Sequence, residues 1–274
     1  MNGRVWEYLE DIGPRVQDAA NLALFLDFDG TLTPLIDDPD QVRLSPAVRQ
    51  CLYGLSQRPD TVVAIVSGRE LSDLQRRVAI PGIYCAGNHG LEISGPQRAF
   101  VEPTAVEHVG NLRRLTKCLS ERLHTIPGAR VENKGYTAAV HFRCVPESRT
   151  ADLRRVVHAT LANADHPFQL TTGNQVFDIR PRVHWTKGDA VTWIRKQTVP
   201  SALPIYLGDD TTDEDAFAKL VEGVTIKVGP GPQSRAQYFI EGPEQVLEFL
   251  EWLAAQRGAA GPAPIVAAGA KASR

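Results

Sequence analysis

Two aspartates, Asp27 and Asp29, close the apolar run Leu22-Ala-Leu-Phe-Leu-Asp-Phe-Asp. The run is short, continuous and bounded by Gly30, which predicts a fully buried strand over residues 22–28. Two positions apart on a strand, the carboxylates share one face. Anions at the end of a buried strand repel each other and lose hydration, so the pair calls for a cation. A Mg²⁺ site at the carboxyl edge of a parallel sheet, suited to phosphate chemistry, answers that demand.

A second acidic cluster, Gly208-Asp-Asp-Thr-Thr-Asp-Glu-Asp215, directly follows the strand-like Ile205-Tyr-Leu. Asp209 and Asp213 are expected to join the metal site, whereas Asp215 reads as the acidic start of a helix. Neither cluster is an EF-hand loop, because Glu214 or Leu32 stands where that loop requires glycine. No Gly-x-x-x-x-Gly-Lys-[Ser/Thr] loop occurs, which argues against a P-loop nucleotide hydrolase. Ser67 ends the run Val63-Ala-Ile-Val and leads into a helix whose free N–H groups suit a phosphate. Lys187-Gly188 opens another helix and offers a point charge.

Several elements must position these residues. Apolar runs at Leu22 to Phe28, Thr61 to Ser67, Pro204 to Gly208 and Val224 to Val228 read as buried strands. Helical spacing links Val48, Leu52 and Leu55 behind a Ser45-Pro46 start, and then Leu71, Leu74 and Val78. Val191 and Ile194 mark another helix, and Val246, Leu250 and Leu253 a last one. Strands alternating with helices predict an α/β fold with a Rossmann-like, doubly wound parallel sheet. The middle of the chain differs. A leucine face runs through residues 112, 115, 119 and 123, and a second helical face spans Leu153 to Leu161. Two hairpins are expected, 129–133 with 136–143 around Lys134-Gly135, and 168–172 with 175–180 around Gly173-Asn174. The expected organisation is an N-terminal helical segment (1–20), a core from 21–92 and 184–256, an inserted α+β unit over 93–183, and a tail from 257 without order.

The chain has 274 residues, 43% of them hydrophobic, with a net charge of −2. That balance gives no basic bias toward nucleic acid or anionic membrane, and no apolar run reaches bilayer length. The N-terminus has no signal-peptide apolar core, so a cytoplasmic setting is the expectation. Cys51, Cys85, Cys118 and Cys144 match no zinc spacing and read as scattered buried thiols.

Asp-x-Asp-Gly-Thr at 27–31, Ser67, Lys187 and Gly208-Asp209-Asp210, in this order, resemble the haloacid dehalogenase superfamily of phosphatases. Further strings are similar to its trehalose-6-phosphate phosphatases: Ser67-Gly-Arg69, Gly87-Asn-His-Gly90, Val131-Glu-Asn-Lys-Gly135, His141-Phe-Arg143 and Gly208 to Phe217. The resemblance implies Asp27 as nucleophile, Asp29 as acid/base, and Ser67 and Lys187 as holders of the phosphoryl group. It implies Mg²⁺ on the Asp27 carboxylate, the Asp29 backbone carbonyl and Asp209, with Asp213 nearby. Arg69, Asn88 and His89 lie just past strand ends and are expected at the sugar, as are Glu132 and Lys134 from the inserted unit, a cap. His141 and Arg143 stay unassigned. The implied substrate is trehalose 6-phosphate, with a functional link to a trehalose-phosphate synthase. Sucrose-phosphate or mannosylglycerate-phosphate remains open as the substrate, as does a non-catalytic sugar-phosphate sensor.

Overall fold

The computed structural model describes residues 3–36, 39–164, 168–173, 175–230 and 233–258. In chain order its elements are β1 (Gly3–Arg4), α1 (Leu9–Asp18), β2 (Leu22–Leu26), α2 (Pro46–Ser56), β3 (Thr61–Val66), α3 (Leu71–Val78), β4 (Tyr84–Gly87), β5 (Glu92–Ser94) and β6 (Ala99–Val101). Next come α4 (Pro103–Leu123), β7 (Arg130–Asn133), β8 (Ala138–His141), α5 (Glu147–Ala162), β9 (Phe168–Gly173) and β10 (Val176–Pro181). The chain closes with α6 (Lys187–Gln197), β11 (Leu203–Gly208), α7 (Glu214–Lys219), β12 (Val224–Val228), β13 (Tyr238–Ile240) and α8 (Pro243–Gln256).

The larger sheet has the order β1-β13-β12-β11-β2-β3-β4-β5-β6. It is parallel from β1 to β4, and β5 and β6 extend it antiparallel. Every residue of β2 is buried, because alternate side chains enter two cores. Leu22, Leu24 and Leu26 pack with Ile12, Leu52, Leu74 and Phe249 from α1, α2, α3 and α8. Ala23 and Phe25 pack with Val191 and Phe217 from α6 and α7. Helices thus cover both faces, as the alternating pattern predicted.

The smaller sheet, β7-β8-β10-β9, is wholly antiparallel. Ala138, Val140, Phe177 and Ile179 point at Leu112, Leu115, Leu119 and Leu153, so α4 and α5 close one face. The opposite face carries Glu132, Ala139, Asp178 and Thr171 in one cross-strand row. The leucine face is therefore core, and both hairpins form; Asn174 of the second turn lies outside the described residues.

Several expectations need correction. The boundary at residue 93 falls inside β5, whose pairing with β4 (Cys85↔Ser94) keeps residues 92–101 in the large sheet. The second unit therefore starts at α4. The N-terminal segment carries α1 and packs into the core: β1 pairs with β13, and Ile12 and Val16 are buried. Strands β4, β5, β6 and β13 went unpredicted because they have three or four residues and no long apolar run. Arg257, expected in the tail, is anchored by Asp60 at 2.7 Å and by the Val16 carbonyl at 3.0 Å; residues 259–274 lie outside the described ones. Cysteine burial also differs, for only Cys85 is buried and Cys144 is exposed. Among the described residues, no helix is long and apolar enough to cross a membrane.

Candidate active site

Parallel strands β2 and β11 pair in register (Leu26↔Leu207) and bring their following loops to one edge. Asp27 leaves β2 still tied to the neighbouring β11, its N–H donating to the Leu207 carbonyl at 2.9 Å. The strand then stops, two residues short of expectation. The Leu32 and Thr33 amides turn back to the Phe28 carbonyl, and Gly30 takes φ +84°. Asp27 and Asp29 consequently do not share a strand face. Asp27 sinks into the protein, while Asp29 stays partly exposed and points to Arg69.

Asp27, Asp209 and Asp213 converge, each offering an oxygen within 4.8 Å of the others. Gly30 makes this possible, since a Cβ there would stand 2.1 Å from an Asp209 oxygen. Thr31 holds Asp209 with a hydroxyl hydrogen bond of 2.8 Å. Lys187 reaches Asp213 at 2.7 Å and Asp27 at 3.1 Å from the first residue of α6. That helix begins where Asp189 accepts from both the N–H and the hydroxyl of Thr186, at 3.0 and 2.8 Å.

Burial dominates the electrostatics. It raises the Asp27 carboxyl well above its ordinary range; Lys187 opposes the shift, and Asp213, Asp209 and Asp29 add to it. Asp209 is pushed up to about 6, first by burial and then by Asp213. Burial also works against the charge on Lys187, yet Asp213 and Asp27 outweigh it and raise its pKa, so the amine stays protonated. Three carboxyl groups thus face a single ammonium at this edge. This oxygen-only donor set fits one hard divalent cation.

Ser67 is buried at the end of β3, with its hydroxyl accepting from the Arg69 amide at 3.2 Å. The Asn88–His89 turn clasps this loop through its backbone, Asn88 N–H to Arg69 O at 2.7 Å and His89 N–H to Ser67 O at 2.9 Å. Both turn residues adopt positive φ, 49° and 59°. The His89 ring lies over Gly68, where a Cβ would meet it at 2.6 Å, and its two nitrogens are buried with no hydrogen-bond partner. Burial, reinforced by Arg180, Lys187 and Lys134, holds His89 neutral by lowering its pKa well below the usual value.

The expected sugar contacts divide. Lys134 projects from the β7–β8 turn to the Gly68 carbonyl at 3.1 Å and to Asp178 at 3.5 Å, which brings the small sheet onto the Ser67–Arg69 loop. Glu132 lies on the same open face and accepts from His141 at 2.7 Å; this hydrogen bond is the largest cause holding its carboxyl down at about 2. Arg69 and Asn88 are engaged by protein groups. Arg69 forks onto both oxygens of Asp29 at 2.7 Å, bonds Asp73 at 3.0 Å and covers the Phe28 ring. The fully buried Asn88 amide donates to Glu92 at 2.6 Å and to the Lys134 carbonyl at 2.9 Å, and its oxygen accepts from Thr137. It joins the two sheets.

Sequence reasoning missed Asp178 and Arg180. They alternate with the inward Phe177 and Ile179 on β10, so the period-two pattern of Val176-Phe-Asp-Ile-Arg held the signal. Arg180 is mostly buried beside Asp178, Asp215 and Asp210, in that order of influence, and its Nε has no partner. Tyr206 was also missed, because an aromatic inside an apolar strand reads as core.

Comparison with known proteins shows the family. Residues 25–243 match the trehalose-phosphatase family model. The chain is 37% identical over 251 residues to trehalose-phosphate phosphatase B of Arabidopsis thaliana, covering 85% of this chain and 66% of that one. It is 37% identical over 247 residues to a trehalose-phosphate phosphatase of Mycobacterium avium, covering 85% and 62%. Its fold matches the C-terminal domain of C. albicans trehalose-6-phosphate phosphatase with a TM-score of 0.76 at 21% identity, covering 90% and 96%. With the buried carboxylates, Lys187 and Ser67 at one sheet edge and this similarity over most of its length, the chain belongs to the trehalose-phosphatase family of phosphoric monoester hydrolases.

Proposed function

We propose that this chain hydrolyses trehalose 6-phosphate to trehalose and inorganic phosphate through an aspartyl-phosphate on Asp27. One observation carries the reading: a buried carboxylate, Asp27, is held 3.1 Å from a protonated Lys187 beneath the polar face of a second sheet. An Asp27 oxygen attacks phosphorus, the bond to the sugar oxygen breaks, and Asp29 gives that oxygen a proton. Asp29 then takes a proton from the water that attacks phosphorus, which releases phosphate and restores the Asp27 carboxylate. To do this, Asp29 exchanges one arm of its Arg69 fork for the reacting oxygen. Lys187 has three N–H donors and two protein acceptors, so one donor remains for a phosphoryl oxygen. Ser67 supplies a hydroxyl to the same group.

Asp27, Asp209 and the Asp29 carbonyl, with Asp213 beside them, would hold Mg²⁺. When bound, the cation offsets repulsion between carboxylate and phosphate dianion. The small sheet acts as a cap, presenting Glu132, Lys134, Asp178 and Arg180 to the disaccharide while neutral His89 supplies a donor and an acceptor from below. The reading places the chain after a trehalose-phosphate synthase. Phosphate release with Mg²⁺, measured across trehalose 6-phosphate, sucrose-phosphate and mannosylglycerate-phosphate, tests it. Trehalose 6-phosphate should be preferred; preference for another sugar overturns the substrate, and no release from any overturns the reaction.

A further inference from the structure

Tyr206 sits in the middle of β11 with its whole side chain buried, its ring edge-on to Phe217 at 5.6 Å and 89°. A phenol in such a core is costly unless its hydroxyl finds a partner, and phenylalanine would fill nearly the same volume. The partner is Asp213: the Tyr206 hydroxyl donates to its Oδ1 at 2.7 Å. Lys187 donates to this same oxygen at 2.7 Å, and the Asp210 amide donates to Oδ2 at 2.9 Å. Three of about four acceptor positions on the carboxylate are thereby filled. Asp213 also lies flat against Gly208, where a Cβ would meet its Cγ at 2.3 Å. Gly208 on one side and Tyr206 on the other leave Asp213 one orientation.

We infer that Tyr206 is a positioning residue: through Asp213 it fixes the Lys187 amine against Asp27 and leaves one carboxylate position open toward the cation. Without the hydroxyl, Asp213 loses a donor that opposes rotation about its side chain. The Lys187 amine then samples positions away from Asp27. Tyr206 touches neither substrate nor the reacting atoms, so its effect falls on kcat and cation affinity and spares KM.

This inference rests on the phosphatase reading, and cation binding tests it separately. Tyr206→Phe should lower kcat and weaken Mg²⁺ binding, measured calorimetrically without substrate, each on the order of 10–100-fold. KM should stay near the wild-type value, and Tm within about 4 °C of it. Phe217→Leu, which loosens the ring packing and keeps the hydroxyl, should lower Tm while retaining kcat and Mg²⁺ affinity. Unchanged kcat and Mg²⁺ affinity in Tyr206→Phe overturns the inference. Equal losses in Phe217→Leu also overturn it, because packing would then be the cause. If the wild-type chain turned over no sugar phosphate, the phosphatase reading would fail while the ratio of Mg²⁺ affinities still decided the role of Tyr206.

Discussion

The edge of the large sheet and the open face of the small one are both polar, but they are built differently. At the edge, Asp27, Asp213 and Lys187 are buried and bonded to each other at 2.7–3.1 Å, with every partner fixed by backbone or core. On the open face, Glu132, Lys134, Asp178 and Arg180 are half-buried, and the Lys134–Asp178 pair is looser at 3.5 Å. Buried charges are strongly coupled and costly to rearrange, which suits a group that must meet phosphorus in one geometry. Partly exposed pairs exchange partners more readily than fully buried ones, which suits recognition of sugar hydroxyls. Under the proposed function the edge carries the reaction and the face the selectivity.

The largest expected effect lies at the edge. Asp27→Asn should cut turnover on the order of 10⁴-fold or more for every phosphate ester, large or small. It should not lower Tm, since it removes a carboxylate whose burial already disfavours its charge. Substantial activity in this variant would remove the nucleophile from the edge and dissolve the contrast.

Asp178→Ala should act on one side of the comparison only. Loss of kcat/KM for trehalose 6-phosphate of about 10–100-fold is expected, as for a hydrogen bond involving charge. Hydrolysis of p-nitrophenyl phosphate, too small to reach the small sheet, should be little changed. Equal losses on both esters would place Asp178 in the reaction instead.

The smallest effect sharpens the electrostatic side. The folded pKa of Asp209, about 6, is raised above the ordinary 3.8, so the metal-free folded chain binds more protons than the unfolded one between these values. The contribution of this acid to stability therefore falls as pH rises through about 4 to 6. A bound cation offsets that loss above the window and competes with a proton below it. The Tm gain from Mg²⁺ should be several degrees at pH 8 and shrink as pH falls below about 6. An equal gain at pH 5 and pH 8 would separate Asp209 from the cation site.

Much of this was legible in the linear chain. The helices behind Ser45-Pro46 and Lys187-Gly188 begin as expected, the leucine face at 112–123 is core, and the acidic pairs mark one sheet edge. The misreadings have local causes. Continuing β2 to Phe28 ignored the turn that Gly30 permits. For Arg69 and Asn88 the linear chain showed donors and acceptors but not the protein groups that engage them. Asn88, with both ends of its amide engaged inside the protein, is a joint between sheets.

What the sequence determined by itself was the inventory and its local phasing: which carboxylates end strands, which cation opens a helix, which residues alternate toward a core. These depend on neighbours within a few residues, where periodicity and capping act. The tertiary structure alone decided the partners. Lys187 meets Asp27 because β2 and β11 pair in parallel while α6 packs across them, and Arg180 reaches the core because the small sheet folds over that edge. Charge pairing depends on distance in space, and the same inventory acquires its chemistry only when distant segments are brought within about 3 Å.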